Sequence, residues 1–131
     1  MTIVLDTNVI VAALVAKGLC HEVVLQALGD GTVATSPALL EELERTLRGQ
    51  FTLGPAATAF LAEFRLRVHV VTPAPLPAPA SRDTDDDEVL AAAVAASAEV
   101  IVTGDQDLLV LRAYHGIEIV TPREFLSHFS A

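Results

Sequence analysis

The sequence predicts an α/β fold in which helices cover both faces of a mostly parallel sheet. Short apolar runs rich in β-branched residues alternate with longer segments of helical periodicity along the 131 residues. This alternation is typical of parallel strands that are joined by helical crossovers. Several of the runs also end at residues that cap helices, such as Asp and Ser. We therefore expect three layers, α/β/α, around a central sheet of about five strands.

The predicted strands are short apolar runs without the strict alternation of a half-exposed strand. In chain order they span residues 2–5, 32–35, 68–71, 100–103 and 117–120. The predicted helices have apolar residues at intervals of three and four, or follow a capping residue or a proline. In chain order they span about residues 9–16, 21–28, 37–48, 55–67, 87–98, 107–112 and 122–126. A proline-rich connector at 73–79 is expected to be extended, because proline fixes φ and lacks an amide proton for a strand ladder.

The composition limits the class of protein. A chain of 131 residues that is 52% apolar can bury one core, so we expect a single domain over residues 1–131. The formal net charge of −9 argues against a broadly electropositive nucleic-acid surface. We find no run of about 18 uncharged apolar residues, no basic leader and only one cysteine, Cys20. We therefore expect a cytoplasmic protein that has no membrane partner.

Carboxylates follow the ends of two predicted strands. Asp6 comes directly after the first strand, and Asp105 follows the strand at 100–103. Because ligands of open parallel sheets bind outside the carboxyl ends of the strands, both side chains are expected at one edge of the sheet. Hard oxygen ligands favour Mg²⁺ or Mn²⁺, although an Asp after a strand can also simply cap the next helix.

A dense acidic stretch at 81–88 precedes the Ala-rich helix. Helix starts favour negative charge, so part of this stretch is explained by capping. On a helical wheel, Asp87 lies at the margin of the buried face and can face a site, whereas Glu88 points nearly opposite. The other aspartates of the stretch are expected before the helix proper, as caps: Asp83, Asp85 and Asp86.

The amphipathic helix at 37–48 carries three glutamates. Glu41 lies furthest from the leucines of the buried face, and Glu42 and Glu44 lie on its flanks. Helical geometry therefore leaves open whether Glu42 or Glu44 faces a site.

Four short motifs resemble, in order and in spacing, the motifs of PIN domains. They are Leu5-Asp6-Thr7-Asn8-Val9, Ser36 followed by Glu42-Leu43, Asp87 three residues before Leu90-Ala91-Ala92, and Val102-Thr103-Gly104-Asp105-Gln106-Asp107. The resemblance covers the whole chain. It is strongest to the PIN-family toxins of prokaryotic toxin–antitoxin systems, the VapC-type ribonucleases.

This resemblance implies a site, a cofactor and an activity. An acidic quartet would hold Mg²⁺ or Mn²⁺, with Glu42 preferred over Glu44: Asp6, Glu42, Asp87 and Asp105. Asp107 would add a direct or water-mediated contact, and the polar side chains of Asn8 and Thr103 would support the site. The implied activity is metal-dependent endoribonuclease cleavage of RNA, in which a metal-activated water hydrolyses a phosphodiester bond. A toxin of this kind has a cognate antitoxin as its partner, and a second copy of the chain is a further candidate.

Other functions compete with this hypothesis. A PIN-like binding module with little or no catalysis would use the same acidic site to engage a protein or RNA. A haloacid-dehalogenase-like phosphatase requires a second Asp where this chain has Asn8. That phosphatase and a receiver domain both require a lysine late in the chain, and Lys17 is the only lysine. The binding module is therefore the main alternative.

The remaining polar residues give weaker signals. The four histidines are scattered, and no two of them have the spacing of metal ligands. Arg82 lies inside the acidic stretch and is expected to pair with Asp83 or Asp85, with contact to a substrate phosphate as the alternative.

Overall fold

The computed structural model describes residues 1–50 and 54–129. Within them, a mostly parallel sheet has the strand order β3-β2-β1-β4-β6-β5. The strands are β1 Thr2–Leu5, β2 Thr32–Thr35, β3 His69–Val70, β4 Val100–Val102, β5 Ala113–Tyr114 and β6 Ile117–Val120. All neighbouring strands pair in parallel except β5 and β6, which are antiparallel. The predicted α/β/α architecture with a mostly parallel sheet is confirmed.

Helices connect the strands and cover the sheet. They are α1 Thr7–Val15, α2 Leu19–Asp30, α3 Pro37–Gln50, α4 Pro55–Arg67, α5 Thr84–Ala95, α6 Gln106–Leu109 and α7 Pro122–Phe129. None of these helices alone is long and apolar enough to cross a membrane; α1 and α2, bent by 114°, would together meet the criterion by length and composition only.

The sheet has one strand more than expected, the short edge strand β5. It is joined to β6 by a tight turn in which His115 and Gly116 have positive φ, 51° and 80°. A strand of two residues has no periodicity that a sequence pattern could reveal. The hairpin therefore becomes visible only from its pairing with β6, which matches Ala113 with Glu118.

Side chains of the central strands alternate between two apolar cores. In β1, Ile3 and Leu5 pack with residues of α1, α2, α4 and α7, whereas Val4 packs with α5 and α6 on the opposite face. Both faces of β1 and β4 are therefore buried. Full burial explains why these strands are continuous apolar runs instead of alternating ones.

Several helix boundaries differ from the predicted ones, and the start of α5 matters most. The helix begins at Thr84, three residues before the predicted start, because Asp83 is its N-cap and accepts a hydrogen bond from the amide of Asp85 at 2.9 Å. It ends at Ala95, shortly before Ser97 adopts positive φ.

The strand order reverses between β1 and β4, which are neighbours in the middle of the sheet. After β1 the chain builds β2 and β3 on one side and then crosses to β4 on the other. Open parallel sheets bind ligands outside the carboxyl ends of the strands at such a reversal. The carboxyl ends of β1 and β4 are therefore the place where a site is expected.

Candidate metal centre

Three aspartates converge at the carboxyl ends of β1 and β4. Carboxylate oxygens of Asp6, Asp86 and Asp105 all lie within 4.8 Å of one another. Asp6 is the N-cap of α1, Asp105 is the N-cap of α6, and Asp86 lies in the first turn of α5. Asp6 and Asp86 are buried, with 5% and 6% exposure, and Asp105 is half-buried. Three separate segments of the chain thus deliver one compact acidic cluster.

Thr103 links two of these aspartates, in the position where the sequence predicted a supporting residue. Its buried hydroxyl donates a hydrogen bond to Asp6 Oδ2 at 2.6 Å and accepts one from the Asp105 amide at 3.0 Å. The Asp6 amide bonds to the Val102 carbonyl at 3.0 Å, so the pairing of β1 with β4 continues into the site. The side chain of Asn8, the other predicted supporting residue, is exposed.

Burial, together with neighbouring negative charge, raises the pKa values of Asp6 and Asp86. Burial raises the pKa of Asp86 from 3.8 to about 7, and the charge of Asp105 and its hydrogen bond with Asp86 add to this rise. Burial also raises the pKa of Asp6, although the Thr103 hydroxyl partly offsets the rise. Two charged carboxylates whose oxygens lie within 4.8 Å of each other repel by at least roughly 3 kcal/mol at an effective dielectric constant of about 20. A cation between them would replace this repulsion by attraction.

The donor set suits a small, hard divalent cation. Mg²⁺ binds oxygen at about 2.1 Å, which places ligand oxygens about 3.0 Å apart when adjacent and about 4.2 Å apart when opposite. The oxygens of the cluster already lie within 4.8 Å of one another, so small shifts of the side chains are sufficient. Three carboxylates leave further coordination positions for water.

The third aspartate of the cluster is Asp86, the residue before Asp87, which the resemblance to PIN domains implied as a ligand. The Asp87 carboxylate instead accepts hydrogen bonds from the amides of Ala80, at 3.2 Å, and Ser81, at 2.8 Å. It therefore holds the turn that precedes α5. The Ser81 hydroxyl donates to Asp86 Oδ2 at 3.3 Å, so the same turn also contacts the cluster.

The early start of α5 explains why Asp86 faces the cluster. With Thr84 as its first residue, Asp86 is the third residue of the helix, three and four positions before the buried Val89 and Leu90. Residues at these spacings share one helix face. A signal for this start exists in the sequence, since Asp83 is a favoured N-cap residue.

Glu42 approaches the same site from α3 without joining the three-aspartate cluster. Its side chain is half-buried, and burial raises its pKa, as do the charges of Asp6 and Asp85, while the Thr7 hydroxyl and Arg45 lower it. Glu44 forms an ion pair with Arg65 of α4 at 2.8 Å. Of the two glutamates left open by helical geometry, the structure therefore turns Glu42 toward the aspartates. The buried Thr7 hydroxyl beside it was part of a quoted motif but not one of the predicted site residues.

Asp107 lies beside the cluster and contacts it through its backbone. Its amide donates to Asp105 Oδ1 at 2.9 Å, and its own Oδ1 lies 4.0 Å from Nε of Arg82. The expected pairing of Arg82 with Asp83 or Asp85 is thus replaced by this longer contact with Asp107, because Asp83 is engaged in capping the amide of Asp85.

Known solved structures are similar to this chain over almost its whole length. Two similar solved structures are a chain of VapBC2 from Rickettsia felis, bound to a DNA fragment from their promoter, and a chain of VapBC-1 from nontypeable Haemophilus influenzae. The first has a TM-score of 0.65 at 16% identity and covers 92% of this chain and 98% of its own. The second has a TM-score of 0.63 at 17% identity and covers 94% and 99%. At these identities the likeness establishes the fold. A search of curated proteins returned no match.

A sequence-family comparison extends the likeness from fold to family. Residues 2–107 match the profile of the PIN domain. This region contains all three aspartates of the cluster, Glu42 and Thr103. Since the match spans most of the 131 residues, the chain belongs to the PIN domain family.

Proposed function

We propose that this PIN-domain chain is a Mg²⁺- or Mn²⁺-dependent endoribonuclease and the toxin of a toxin–antitoxin pair. The observation that supports it most is the convergence of Asp6, Asp86 and Asp105 at the strand-order reversal of a PIN fold. Structural capping alone explains single acids at helix starts. It does not explain three carboxylates brought together against their own repulsion, two of them buried.

In this proposal the three aspartates hold the cation, and Glu42 faces it from α3. A bound Mg²⁺ or Mn²⁺ supplies a water of lowered pKa and a positive charge for the phosphodiester. Thr103 keeps Asp6 and Asp105 in position through its two hydrogen bonds. Glu42 contributes a half-buried carboxylate to the same site from α3, close enough to Asp6 for their charges to interact. Asp87, which the sequence placed in the quartet, has the supporting task of ordering the turn before α5.

The negative charge of the chain opposes the binding of RNA. A net charge of −9 repels RNA unless cations reverse the field at the site. RNA binding and cleavage should therefore both depend on the divalent ion.

An antitoxin partner has a candidate surface on the outer side of the helices α1, α2 and α4. An apolar groove of about 440 Å³ lies between α1, α2 and α4 and is lined by residues that include Leu14, Val24 and Phe60. Val15 and Leu25 on its rim are 59% and 53% exposed. Two similar solved structures are VapBC assemblies, which supports an apolar segment of an antitoxin as the ligand of this groove. Replacing Leu25 by Asp should weaken capture of the protein encoded next to this chain without reducing cleavage.

Cleavage of a structured RNA in Mg²⁺ or Mn²⁺ tests the nuclease hypothesis. Asp6→Asn and Asp86→Asn should abolish the cleavage and leave the circular dichroism spectrum unchanged. Asp30→Asn is the matched control, since Asp30 is an exposed aspartate at the end of α2, by the amino end of β2. Undiminished cleavage by either site variant would refute the hypothesis. A wild-type protein that binds RNA in Mg²⁺ but never cleaves it would support the binding module.

A further inference from the structure

Arg82 is the cation beside the acidic cluster that has no strong partner in the described structure. Its side chain is 90% exposed, and Nε lies 4.0 Å from Asp107 Oδ1, beyond the length of a hydrogen bond. Among residues 1–50 and 54–129, no acceptor lies within hydrogen-bond distance of its guanidinium. The five N–H donors of this group are therefore available to a ligand.

The backbone on both sides of Arg82 is held firmly. Asp87 binds the amides of Ala80 and Ser81, and the Ser81 hydroxyl contacts both Asp86 Oδ2 and the amide of Asp83, at 3.3 and 3.4 Å. The turn that carries Arg82 is therefore tied to a carboxylate of the cluster. The side chain itself is exposed, so its position along the rim can adjust to a ligand.

This arrangement contributes little to stability. An exposed ion pair at 4.0 Å is worth about 0–1 kcal/mol. Two other arginines, by contrast, make short contacts within the fold: Arg65 binds Glu44 at 2.8 Å and Arg67 donates to the Leu28 carbonyl at 3.0 Å. Arg82 is instead a positive charge next to the site that would accept a polyanion, on a chain whose net charge is −9.

We propose that Arg82 binds a phosphate group of the RNA strand beside the cleaved bond, and that Asp87 is the positioning residue that holds its turn. A planar guanidinium binds phosphate oxygens in a bidentate manner, which an ammonium group cannot do. Asp107 gives up its long contact when the phosphate arrives. The inference rests on the proposed function, because it names the part of the same site that contacts the substrate.

Steady-state kinetics on a short single-stranded RNA in Mg²⁺ test this role. Arg82→Gln should raise KM about tenfold, as expected for the loss of one exposed, charge-assisted contact, with kcat changed much less. The slope of log KM against log salt should fall by about 0.7, the value for one contact with a single strand. Arg82→Lys should restore the salt slope and only part of the affinity.

Arg67→Gln is the matched control for charge. It makes the same change in net charge, but Arg67 is the last residue of α4 and lies near the amino ends of the strands, away from the cluster. KM should be unchanged in this variant. An equal rise of KM in Arg67→Gln and Arg82→Gln, or an unchanged KM in Arg82→Gln, would overturn the inference.

RNA binding without cleavage separates this inference from the proposed function. Fluorescence anisotropy with labelled RNA in Ca²⁺, which carboxylates bind with a looser geometry than Mg²⁺, compares the wild-type protein with Arg82→Gln. If the wild-type protein does not cleave but binding depends on Arg82, the nuclease hypothesis fails and the phosphate contact stands. If it cleaves and neither KM nor binding depends on Arg82, only the inference fails. Absence of both binding and cleavage refutes both.

Discussion

Replacing Asp86 by Asn should stabilise the metal-free protein at pH 8. In the folded state burial and the neighbouring carboxylates raise the pKa of Asp86 from 3.8 to about 7. Because the pKa of Asp86 is higher in the folded state than in the unfolded state, its ionisation costs no stability below about pH 4. The cost grows as the pH rises and is complete above about pH 7. At pH 8 the wild-type protein therefore carries an unfavourable charge that the Asn variant lacks.

The size of this effect follows from the pKa of Asp86. The difference between 3.8 and about 7 corresponds to about 4 kcal/mol, at roughly 1.4 kcal/mol per pH unit. The amide loses the favourable interaction of a carboxylate with the start of α5, worth about 0.3–1 kcal/mol. Solvent screening reduces the gain further, so we expect a net gain of about 2 kcal/mol in the free energy of unfolding, or roughly 6 °C in Tm.

Thermal and urea unfolding in EDTA at pH 8 and pH 5 measure this gain. Roughly a third of the wild-type penalty remains at pH 5, because Asp86 is then mostly protonated in the folded state, so the variants should converge there. Asp87→Asn is the matched control and should have the opposite sign, since it weakens the acceptor of the Ala80 and Ser81 amides. Addition of Mn²⁺ should raise the Tm of the wild type more than that of Asp86→Asn.

Two results would refute this account of the cluster. The first is a loss of stability in Asp86→Asn at pH 8 in EDTA. The second is an equal effect at pH 5 and pH 8, because a pH-independent change would point to packing and not to charge.

Two further predictions concern the support of the site and the packing of the sheet. Thr103→Val should lower the free energy of unfolding by about 1–3 kcal/mol and weaken Mn²⁺ binding about tenfold in calorimetric titration, because it leaves a buried carboxylate and a partly buried amide without their partner. Unchanged Mn²⁺ affinity would show that the Thr103 hydroxyl does not organise the ligands. Gly31→Ala should lower the free energy of unfolding in urea by about 1–3 kcal/mol, since a Cβ there would lie 2.8 Å from Ile3 Cδ1 and 2.9 Å from the Met1 carbonyl oxygen. In Gly29→Ala, a change inside α2, the added Cβ would have no atom within 4 Å, so the free energy of unfolding should rise by about 0.5–1 kcal/mol. Equal effects of the two changes would contradict the steric argument.

The sequence alone determined the architecture and two corners of the candidate site. Strands buried on both faces are marked by continuous apolar runs, and that pattern is local, so β1, β2 and β6 were predicted with the bounds observed. Asp6 and Asp105 were placed correctly at one edge because each lies just beyond the end of a strand, and parallel strands end at the same edge. Their roles as metal ligands remain proposals.

Tertiary structure decided which other side chains join them. Several carboxylates compete for the start of α5, and only the choice of Asp83 as N-cap determines which of its neighbours turns toward the sheet. With this N-cap, Asp86 joins Asp6 and Asp105, and Asp87 binds the backbone of the preceding turn. Glu42, which the resemblance already preferred, lies near Asp6, whereas Glu44 pairs with Arg65 of α4. Arg82 contacts Asp107, which is 25 positions further along the chain. The contacts of Glu44 and Arg82 join separate segments, and periodicity and capping rules within one segment cannot predict such contacts.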